Sequence, residues 1–552
     1  MVTGSSIATL VVFILSIIFV IHPVTISLPH LPRLHVNLTT APIIAIAILW
    51  AAQCLGPSQI RDGIVGTDGV KPYNILILFF SLAYMAITLD ITGVLQAAAF
   101  WVSNKGGSNG WKLYIYFYLM LTSLSILLGN DPVILSGTAF LVYYTKVAEL
   151  NPIAWLISEF AAANTASMVL FVGNPTNVVI CEGFHVNNAA FTAYTILPFL
   201  ACNFVCFIAL GFQFRDSKYL PRRLHVTADL DARSVLLDPI GAWVGSILLG
   251  TCLIVIILVS FFKIDVWKIS LPFAVVKLIY DFAWDHYRYA HKIPMLGRGK
   301  VETGKQGAAP DEDVMLAVLE RTLTSASREL ARAATESTTV NRAVSHPSTE
   351  APLPSTNPST VSPKPTSKAL FARQRSALIA TRSHLHAHFP TFFTALPRLP
   401  FALVPFAFSQ FILIESLAHQ GWIGVFATWL VRASHRQIYP TIWLIGVLGV
   451  ILCNISGTNI GATILLTKVV RAADFPPHSD RAAAIALAVA SNIGAVSFTF
   501  SASLAGLLWR AILKQKGIFI SQRMFAFWNV LPLVVMTAAG LAVVCIEMAV
   551  LF

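Results

Sequence analysis

The sequence predicts an all-α polytopic membrane protein built from two inverted repeats, and three observations support that prediction. The 552 residues are 56% hydrophobic and only 12% charged, with a mean hydropathy of +0.72. Several apolar runs approach the roughly 20 residues that a helix needs to cross a bilayer. Two short polar tips, residues 128–132 and 452–457, interrupt apolar sequence in the two halves of the chain. A pattern that recurs in both halves is typical of a transporter made of repeats.

Composition excludes several other classes of protein. The net charge of +12 would suit nucleic acid, but the basic residues lie mostly in loops, where they set orientation in the membrane. We therefore expect a lipid bilayer and a small solute as partners, and no nucleic acid. The seven cysteines show no metal-ligand spacing, which predicts free thiols and no metal site. The sequence has no Gly-rich Lys-Ser/Thr loop for ATP, so we expect no cofactor, only a coupling H+ or Na+.

The apolar and polar stretches divide the chain into five parts. These are N-terminal spans (1–70), a first transporter repeat (71–214), a basic connector with two linking spans (215–283), a long loop (284–397) and a second repeat (398–552). The loop is rich in Ser, Thr, Pro and Ala and too poor in large apolar residues to fold alone, so we expect it to be largely disordered. Within it, residues 311–336 form a candidate exposed helix. The Lys and Arg residues of the connector and the loop place both in the cytoplasm.

Each repeat contains a candidate re-entrant hairpin followed by a broken helix. In the first repeat 34 residues separate the tip Asn130 from the later Asn164, and in the second 38 separate Asn454 from Asn492. If each tip is the turn of a hairpin, the chain has about ten full spans plus two hairpins. The two repeats then run in opposite directions across the membrane, and the first hairpin enters from the cytoplasm.

The tips and breaks supply the candidate substrate- and ion-binding residues. Backbone that leaves the helix within the bilayer must be buried in protein or line a wet cavity, and its free N–H and C=O groups suit anions and cations respectively. The candidates are Asn130, Asp131, Asn164, Thr165, Gly173, Asn174, Thr176, Asn177, Asn454, Ser456, Thr458, Asn492, Ser501 and Ser503. Small polar residues also simply allow helices to pack closely. We favour packing for any single Ser or Thr and binding for the Asn positions that recur in both halves.

Acidic residues within the apolar runs are candidates for ion coupling, because a charge in the membrane is costly and function is its default explanation. Asp131, at the first tip, is the leading candidate, and Glu159 is the second. Asp90 and Glu415 occupy matching helix ends, where we expect interfacial anchoring. Neither tip carries Lys or Arg, which favours a neutral oxyacid or a weakly charged substrate.

The second half resembles a known family. Residues 491–494 (Ser-Asn-Ile-Gly), 498–509 and 516–518 resemble the late signature of arsenite/antimonite efflux permeases. Residues 173–177 (Gly-Asn-Pro-Thr-Asn) resemble the helix break of the wider ion-transporter superfamily, which also holds citrate-transporter-like carriers. The resemblance covers roughly residues 70–214 and 398–552. It implies two inverted hairpin-bearing repeats, often in a homodimer, that move a small inorganic oxyacid or anion (arsenite-like) by alternating access. The second repeat departs from the family form at Ile493, where an acid commonly follows the Asn.

Several alternatives stay open at this point. A citrate/dicarboxylate-type anion carrier and a sodium/proton antiporter belong to the same superfamily. A channel is possible in principle, although the doubled tip pattern argues against it. A membrane-embedded acyl- or glycosyltransferase would need a catalytic cluster, and the neighbouring His22, His30 and His35 have no acidic partner nearby. The sequence thus predicts a multi-pass integral membrane protein that is not an enzyme, in the plasma membrane or an internal membrane.

Overall fold

The computed structural model describes residues 3–27, 33–67, 69–224, 231–233, 235–259, 262, 264–293 and 381–552. These residues are almost entirely helical. The chain begins with α1 (Gly4–Ile21), the strands β1 (Val24–Ile26) and β2 (Leu34–Val36), α2 (Thr40–Ala51) and α3 (Pro57–Val65). The two strands pair antiparallel as a short hairpin. Of the region predicted to hold N-terminal spans, α2 is a helix of 12 residues, too short to cross a bilayer by itself.

The two predicted repeats correspond helix by helix. The first comprises α4 (Pro72–Ile91), α5 (Val94–Gly106), α6 (Gly110–Leu128), α7 (Asn130–Val147), α8 (Pro152–Ala166), α9 (Pro175–Gly183) and α10 (Asn188–Gln213). The linking helices α11 (Pro239–Val259) and α12 (Trp267–Ala290) follow, and the short α13 (Pro390–Ala395) precedes the second repeat. The second repeat comprises α14 (Leu403–His419), α15 (Trp422–Ser434), α16 (Ile438–Ile455), α17 (Asn459–Ala472), α18 (Pro477–Ile493), α19 (Leu504–Gln515) and α20 (Gln522–Leu551). A three-residue 3-10 turn lies in each break, at Phe171–Gly173 and Phe500–Ala502.

The last helices of the two repeats, α10 and α20, run antiparallel. The ring of Phe214, just after α10, lies 4.6 Å from that of Trp528, near the start of α20. At the other end of α10, Tyr194 and the C-terminal Phe552 both contact the guanidinium of Arg481. Because equivalent helices point in opposite directions, the repeats are inverted, as the sequence predicts.

The broken helices α8 and α18 form the centre of the molecule. Every residue from Ala154 to Ala166 and from Ala482 to Ile493 is buried. Both helices are rich in alanine, and small side chains let neighbouring helices approach closely. Helices α16 and α18 approach closely at Gly449, because a Cβ on that residue would lie only 2.7 Å from the Cβ of Ala490. The helix that carries each break is therefore enclosed by protein on all sides.

The outer helices expose apolar stripes that suit lipid. Along α10, Leu200, Phe204, Ile208 and Phe212 recur every four residues and are 52–64% exposed. Eight helical segments of the described chain are long and apolar enough to cross a membrane. Two of the eight are α6 and α16, the first arms of the hairpins. The polytopic all-α prediction is confirmed, while the count of ten full spans stays a prediction.

The long loop is shorter than expected at both ends. Helix α12 continues to Ala290, and residues 381–388 and α13 are helical. Asp285 of α12 accepts hydrogen bonds from the backbone N–H and the hydroxyl of Thr391, at 2.9 and 3.0 Å, and so caps α13. The predicted helix at 311–336 lies outside the described residues.

Candidate functional site

The first tip is a hairpin turn of a single residue. Helix α6 ends at Leu128, Gly129 has φ +82° and ψ 172°, and α7 begins at Asn130. A side chain is strained in this conformation, and a Cβ would also lie 3.2 Å from the carbonyl oxygen of Gly173. Asn130 donates a hydrogen bond of 3.0 Å to Oδ1 of Asn164, near the end of α8. The tip of the first hairpin therefore meets the first broken helix, and the spacing of the two asparagines reflects a direct contact.

Asparagines within the first break satisfy the backbone groups that the break leaves free. Asn174 caps α9 by accepting from the N–H of Thr176 at 3.1 Å, and Pro175 occupies the first helical position, where no N–H is needed. Asn177 donates to the carbonyls of Ser167 and Leu170, both at 2.9 Å. Buried backbone groups freed by a break must find partners. The sequence 173–177 therefore both makes the break and satisfies it.

The second break uses different side chains for the same task. Ser503 caps α19 by accepting from the N–H of Gly506 at 3.0 Å. Asn454, in α16, accepts from the backbone N–H of Phe498 and from the N–H and hydroxyl of Thr499, each at 3.1 Å. Ser501 donates to that same hydroxyl at 3.4 Å. Asn454 and Ser501 thus hold the irregular segment before α19 in place.

The two breaks meet in a buried polar cluster. Asn492 donates to Oδ1 of Asn177 at 2.7 Å and accepts from the hydroxyl of Ser167 at 2.9 Å. Ser491 and Thr176 lie 3.4 Å apart, hydroxyl to hydroxyl. All five side chains are at most 1% exposed. This cluster joins the two repeats at the point where both broken helices lose their regular hydrogen bonds.

The second tip is a three-residue turn. Thr458 caps α17 by accepting from the N–H of Gly461 at 3.2 Å, and Ser456 donates to the carbonyls of Leu452 and Thr458. Gly457 has φ +84°. Ser456 and Thr458 therefore shape the tip itself. Of the other candidates, Thr165 lies apart from the cluster and donates to the sulfur of Met536 at 3.3 Å, a packing contact.

One site residue was missed by the sequence prediction. Asn459 is the first residue of α17, as Asn130 is the first of α7, and it donates to the carbonyl of Ser491 at 3.3 Å. Pairing Asn454 with Asn130 is therefore wrong, because Asn454 lies within α16. The spacing already carried the signal, since 33 residues separate Asn459 from Asn492, close to the 34 of the first repeat.

A cavity of about 1060 Å³ opens onto the first tip. Its walls are formed by the tip with Gly173, by α4 and α19, and by residues from 382 to 403. Asp131 lines this cavity, and no hydrogen bond or ion pair joins its carboxylate to a residue that the structure describes. Arg382, His386 and Arg398 line the cavity as well. The first tip is thus accessible from the side of the chain that carries residues 382–398.

The remaining acids lie deeper than predicted. Glu159 is fully buried, with one oxygen accepting from Thr138 at 3.0 Å and the other without a hydrogen bond in the described structure. Asp90 is 3% exposed and pairs with Arg398 at 3.4 Å. Glu415 is 7% exposed and pairs with Lys468 at 2.8 Å. The expected interfacial role of Asp90 and Glu415 is therefore wrong, because both are buried in protein and paired with a cation.

A cluster of two acids and a histidine, close to the second tip's ion pair, is a candidate metal site. Ligand atoms of Asp62, Glu415 and His419 lie within 4.8 Å of one another. The Lys468 ammonium lies 2.8 Å from Glu415 and so supplies the positive charge that a metal ion would bring. This buried cation compensates the charge of Glu415, and the carboxylate of Asp62 lies 3.8 Å from the ring of His419. The chemistry of this set fits an ion pair better than a metal centre.

The fold and the site together define a class: an integral, multi-pass membrane protein of inverted-repeat transporter architecture. The family described as "Citrate transporter" matches residues 5–292, just over half of the chain. The chain therefore belongs to the citrate transporter family, and the family resemblance seen in the sequence is confirmed.

Curated relatives are similar at low identity. The chain is 21% identical to an arsenical pump membrane protein of Escherichia coli over 228 residues, 40% of this chain and 52% of that protein. It is also 21% identical to the arsenical pump membrane protein of Yersinia enterocolitica over 267 residues, 47% of this chain and 60% of that protein. The chain spans about half the length of the curated relatives it matches.

Two solved structures are also similar to the chain. The Alcanivorax borkumensis YdaH transporter has 10% identity and a TM-score of 0.33, with 99% of this chain and 98% of that chain covered. Neisseria gonorrhoeae MtrF has 13% identity and a TM-score of 0.40, with 99% of this chain and 95% of that chain covered.

Proposed function

We propose that this protein is a secondary active transporter that moves a small inorganic oxyacid or anion, arsenite-like, by alternating access. The observation that carries the proposal is the asymmetry of the two tips within one inverted-repeat fold. The first tip borders a large cavity, whereas Val20 of α1 packs against Gly457 of the second tip. A carrier of this architecture exposes a central site to one side of the membrane at a time.

The residues around the breaks support a substrate of low charge. The buried cluster offers amide and hydroxyl groups, which donate and accept hydrogen bonds, together with the N-termini of α7, α9, α17 and α19. No Lys or Arg bonds to the cluster within the described residues. A strongly charged polyanion would meet only dipoles there. A neutral oxyacid such as arsenite suits this environment, as the names of the curated relatives suggest.

A citrate-type carboxylate is the second candidate. Arg382 lines the cavity that leads to the first tip, and its positive charge attracts an anionic solute. Asp131 works against an anion at the tip itself and favours a role as the coupling carboxylate for H+ or Na+. In both cases the protein moves its solute without catalysing a reaction.

Transport into proteoliposomes tests the proposal. Uptake of labelled arsenite, citrate and phosphate is compared with and without an imposed pH gradient, and with and without a Na+ gradient. We expect one solute to accumulate only when one gradient is imposed. Accumulation without any gradient would contradict secondary active transport, and accumulation of none of the three would contradict the proposed substrate class.

The chain offers a matched pair of variants for the site. Asn174 and Asn151 are both N-caps followed by proline, and each accepts from the N–H two residues later at 3.1 Å. Asn174→Ala and Asn151→Ala therefore remove the same cap, each costing about 1 kcal/mol of helix stability. We expect only Asn174→Ala to abolish uptake. Equal uptake by both variants would assign Asn174 to capping alone.

A further inference from the structure

Three histidines meet at the end of α12, away from the transport site. Residues 381–388 are helical, and within them His384 and His388 stand four residues apart. Such residues lie one above the other on the same helix face. His286 of α12 faces this pair, with its Nδ1 only 2.8 Å from Nε2 of His388. Two histidines one helical turn apart, with a third from another helix, are a ligand set typical of a transition-metal ion.

The surroundings hold the rings in place. Tyr289, one turn after His286 on α12, stacks on His388 with 4.2 Å between ring centroids and 21° between planes. The rings of His384 and His388 are 6.3 Å apart. The rings of His286 and His388 stack as well, with 5.1 Å between ring centroids. The three imidazoles are therefore grouped at one place beside α12.

The geometry points to a Zn²⁺-class metal site formed by His286, His384 and His388, with water completing the coordination. Two nitrogens bound to one tetrahedral zinc at about 2.0–2.1 Å stand about 3.3 Å apart, so the His286–His388 contact has to open by roughly half an ångström. The side chain of His384 is exposed, and it has to rotate toward the other two rings to bring the third nitrogen to the ion.

The same helix forms a wall of the transport cavity on its opposite face. Arg382 and His386 line the cavity, while His384 and His388 face α12. Successive helix residues turn by about 100°, so His386 lies nearly opposite both metal-site histidines of this helix. A bound metal would link the helix of residues 381–388, which forms this wall, to α12. This regulatory consequence rests on the proposed transport function, whereas the metal site itself does not.

Metal binding by the purified full chain tests the site. The protein is prepared without a polyhistidine tag, and bound Zn²⁺ is measured by competition with a chromophoric chelator. Co²⁺ serves as a second probe, because its visible spectrum reports tetrahedral nitrogen ligation. We expect one ion per chain, with affinity lowered about 100-fold in His286→Ala and in His388→Ala, and about tenfold in His384→Ala.

His386→Ala is the matched control, since it removes a histidine from the same helix outside the proposed ligand set. It should bind zinc as the unmodified chain does. Each variant is first shown to have the unfolding midpoint of the unmodified chain. Failure of the full chain to bind zinc stoichiometrically would overturn the site, and so would binding that persists in the His286→Ala/His388→Ala double variant. Transport is measured separately, so that a loss of uptake with intact zinc binding bears on the proposed function alone.

Discussion

The two hairpin tips use the same architecture but differ in what covers them. The first tip turns on Gly129 alone and borders a cavity of about 1060 Å³, with the carboxylate of Asp131 in its wall. The second tip turns on three residues that are all buried. Helix α1 covers it closely, since a Cβ on Gly457 would lie 2.9 Å from Cγ1 of Val20. Within the described residues, the two tips of the inverted repeat therefore differ in that the first borders this cavity and the second is covered by α1.

The hairpins also differ in how they are fastened to the first helix of their repeat. At the second tip, here called the closed tip, Lys468 of α17 pairs directly with Glu415 of α14, and Thr67 bonds to both. The first tip, at Gly129, is called the open tip. At the open tip, the link from α4 to α7 passes through a neutral side chain, since Gln96 donates to Asp90 at 3.4 Å and to Ser136 at 2.6 Å. The second hairpin is therefore tied to α14 by a direct charge pair, and the first is tied to Asp90 of α4 through the neutral side chain of Gln96.

The largest expected effect comes from breaking the charge pair of the closed hairpin. Lys468→Met leaves Glu415 buried beside Thr67 without its cation. Removing one partner of a buried pair costs about 3–5 kcal/mol, because the remaining charge is uncompensated. We expect a matching loss in the free energy of unfolding, measured by denaturant titration in detergent.

The double variant Lys468→Met/Glu415→Gln is the control, because it removes both charges and should recover most of the lost stability. An equally destabilised double variant would show that Lys468 acts through packing instead of charge.

The next largest effect is expected at the junction of the two breaks. Asn177→Ala leaves the carbonyl of Ser167 without a partner among the described residues, and it removes one of two hydrogen bonds from the carbonyl of Leu170 and from the amide of Asn492. Each buried polar group left unpaired costs about 1–3 kcal/mol. We expect a loss of about 2–4 kcal/mol in the free energy of unfolding, together with loss of uptake. Asn187→Ala, which removes the N-cap of α10 outside the site, should cost only about 1 kcal/mol and retain uptake. Equal losses in the two variants would argue that Asn177 only caps.

Much of this site is predictable from the sequence, because glycine, proline and asparagine mark where a membrane helix must stop. The breaks and the inverted repeats follow from such local signals. The register of the second tip does not, because α16 continues through Asn454 and the turn depends on Gly457. The ion pairs of Asp90 and Glu415 and the histidine cluster also escape prediction. Their partners are far away in the sequence, so only the folded chain brings them together.

The open and closed tips can be distinguished by chemical labelling. A cysteine at position 131 should react with a membrane-impermeant maleimide about tenfold faster than one at position 456, because only the first tip borders the open cavity. The variants Asp131→Cys and Ser456→Cys are compared with the unmodified chain, whose seven cysteines give the background. Adding Val20→Ala to Ser456→Cys should narrow the difference by loosening the cover over Gly457. Equal rates at the two positions would contradict this difference between the tips.

The smallest effect is expected where an ion pair is exposed. Asp265 accepts from Lys268 at 2.9 Å and from Lys71, at the start of α4, at 3.2 Å, and its side chain is 26% exposed. The hydrogen bond from Lys268, followed by that from Lys71, lowers the pKa of Asp265. A lowered pKa stabilises the fold above the unfolded value of about 3.9, and this contribution is lost as the pH falls through the folded value.

Solvent screening keeps this contribution to about 0.5 kcal/mol, several times less than at the buried Lys468 pair. Asp265→Asn should therefore lower the free energy of unfolding slightly at pH 7, and the difference should shrink as the pH falls below about 4 and vanish once the pH is below the folded pKa. Salt at about 1 M should shrink the difference at pH 7, because the Debye length is then only about 3 Å. A difference that persists in acid would mean that Asp265 acts through hydrogen bonds that its amide analogue cannot make. The difference between the Lys468–Glu415 pair and the Asp265 pair would then not be explained by burial alone.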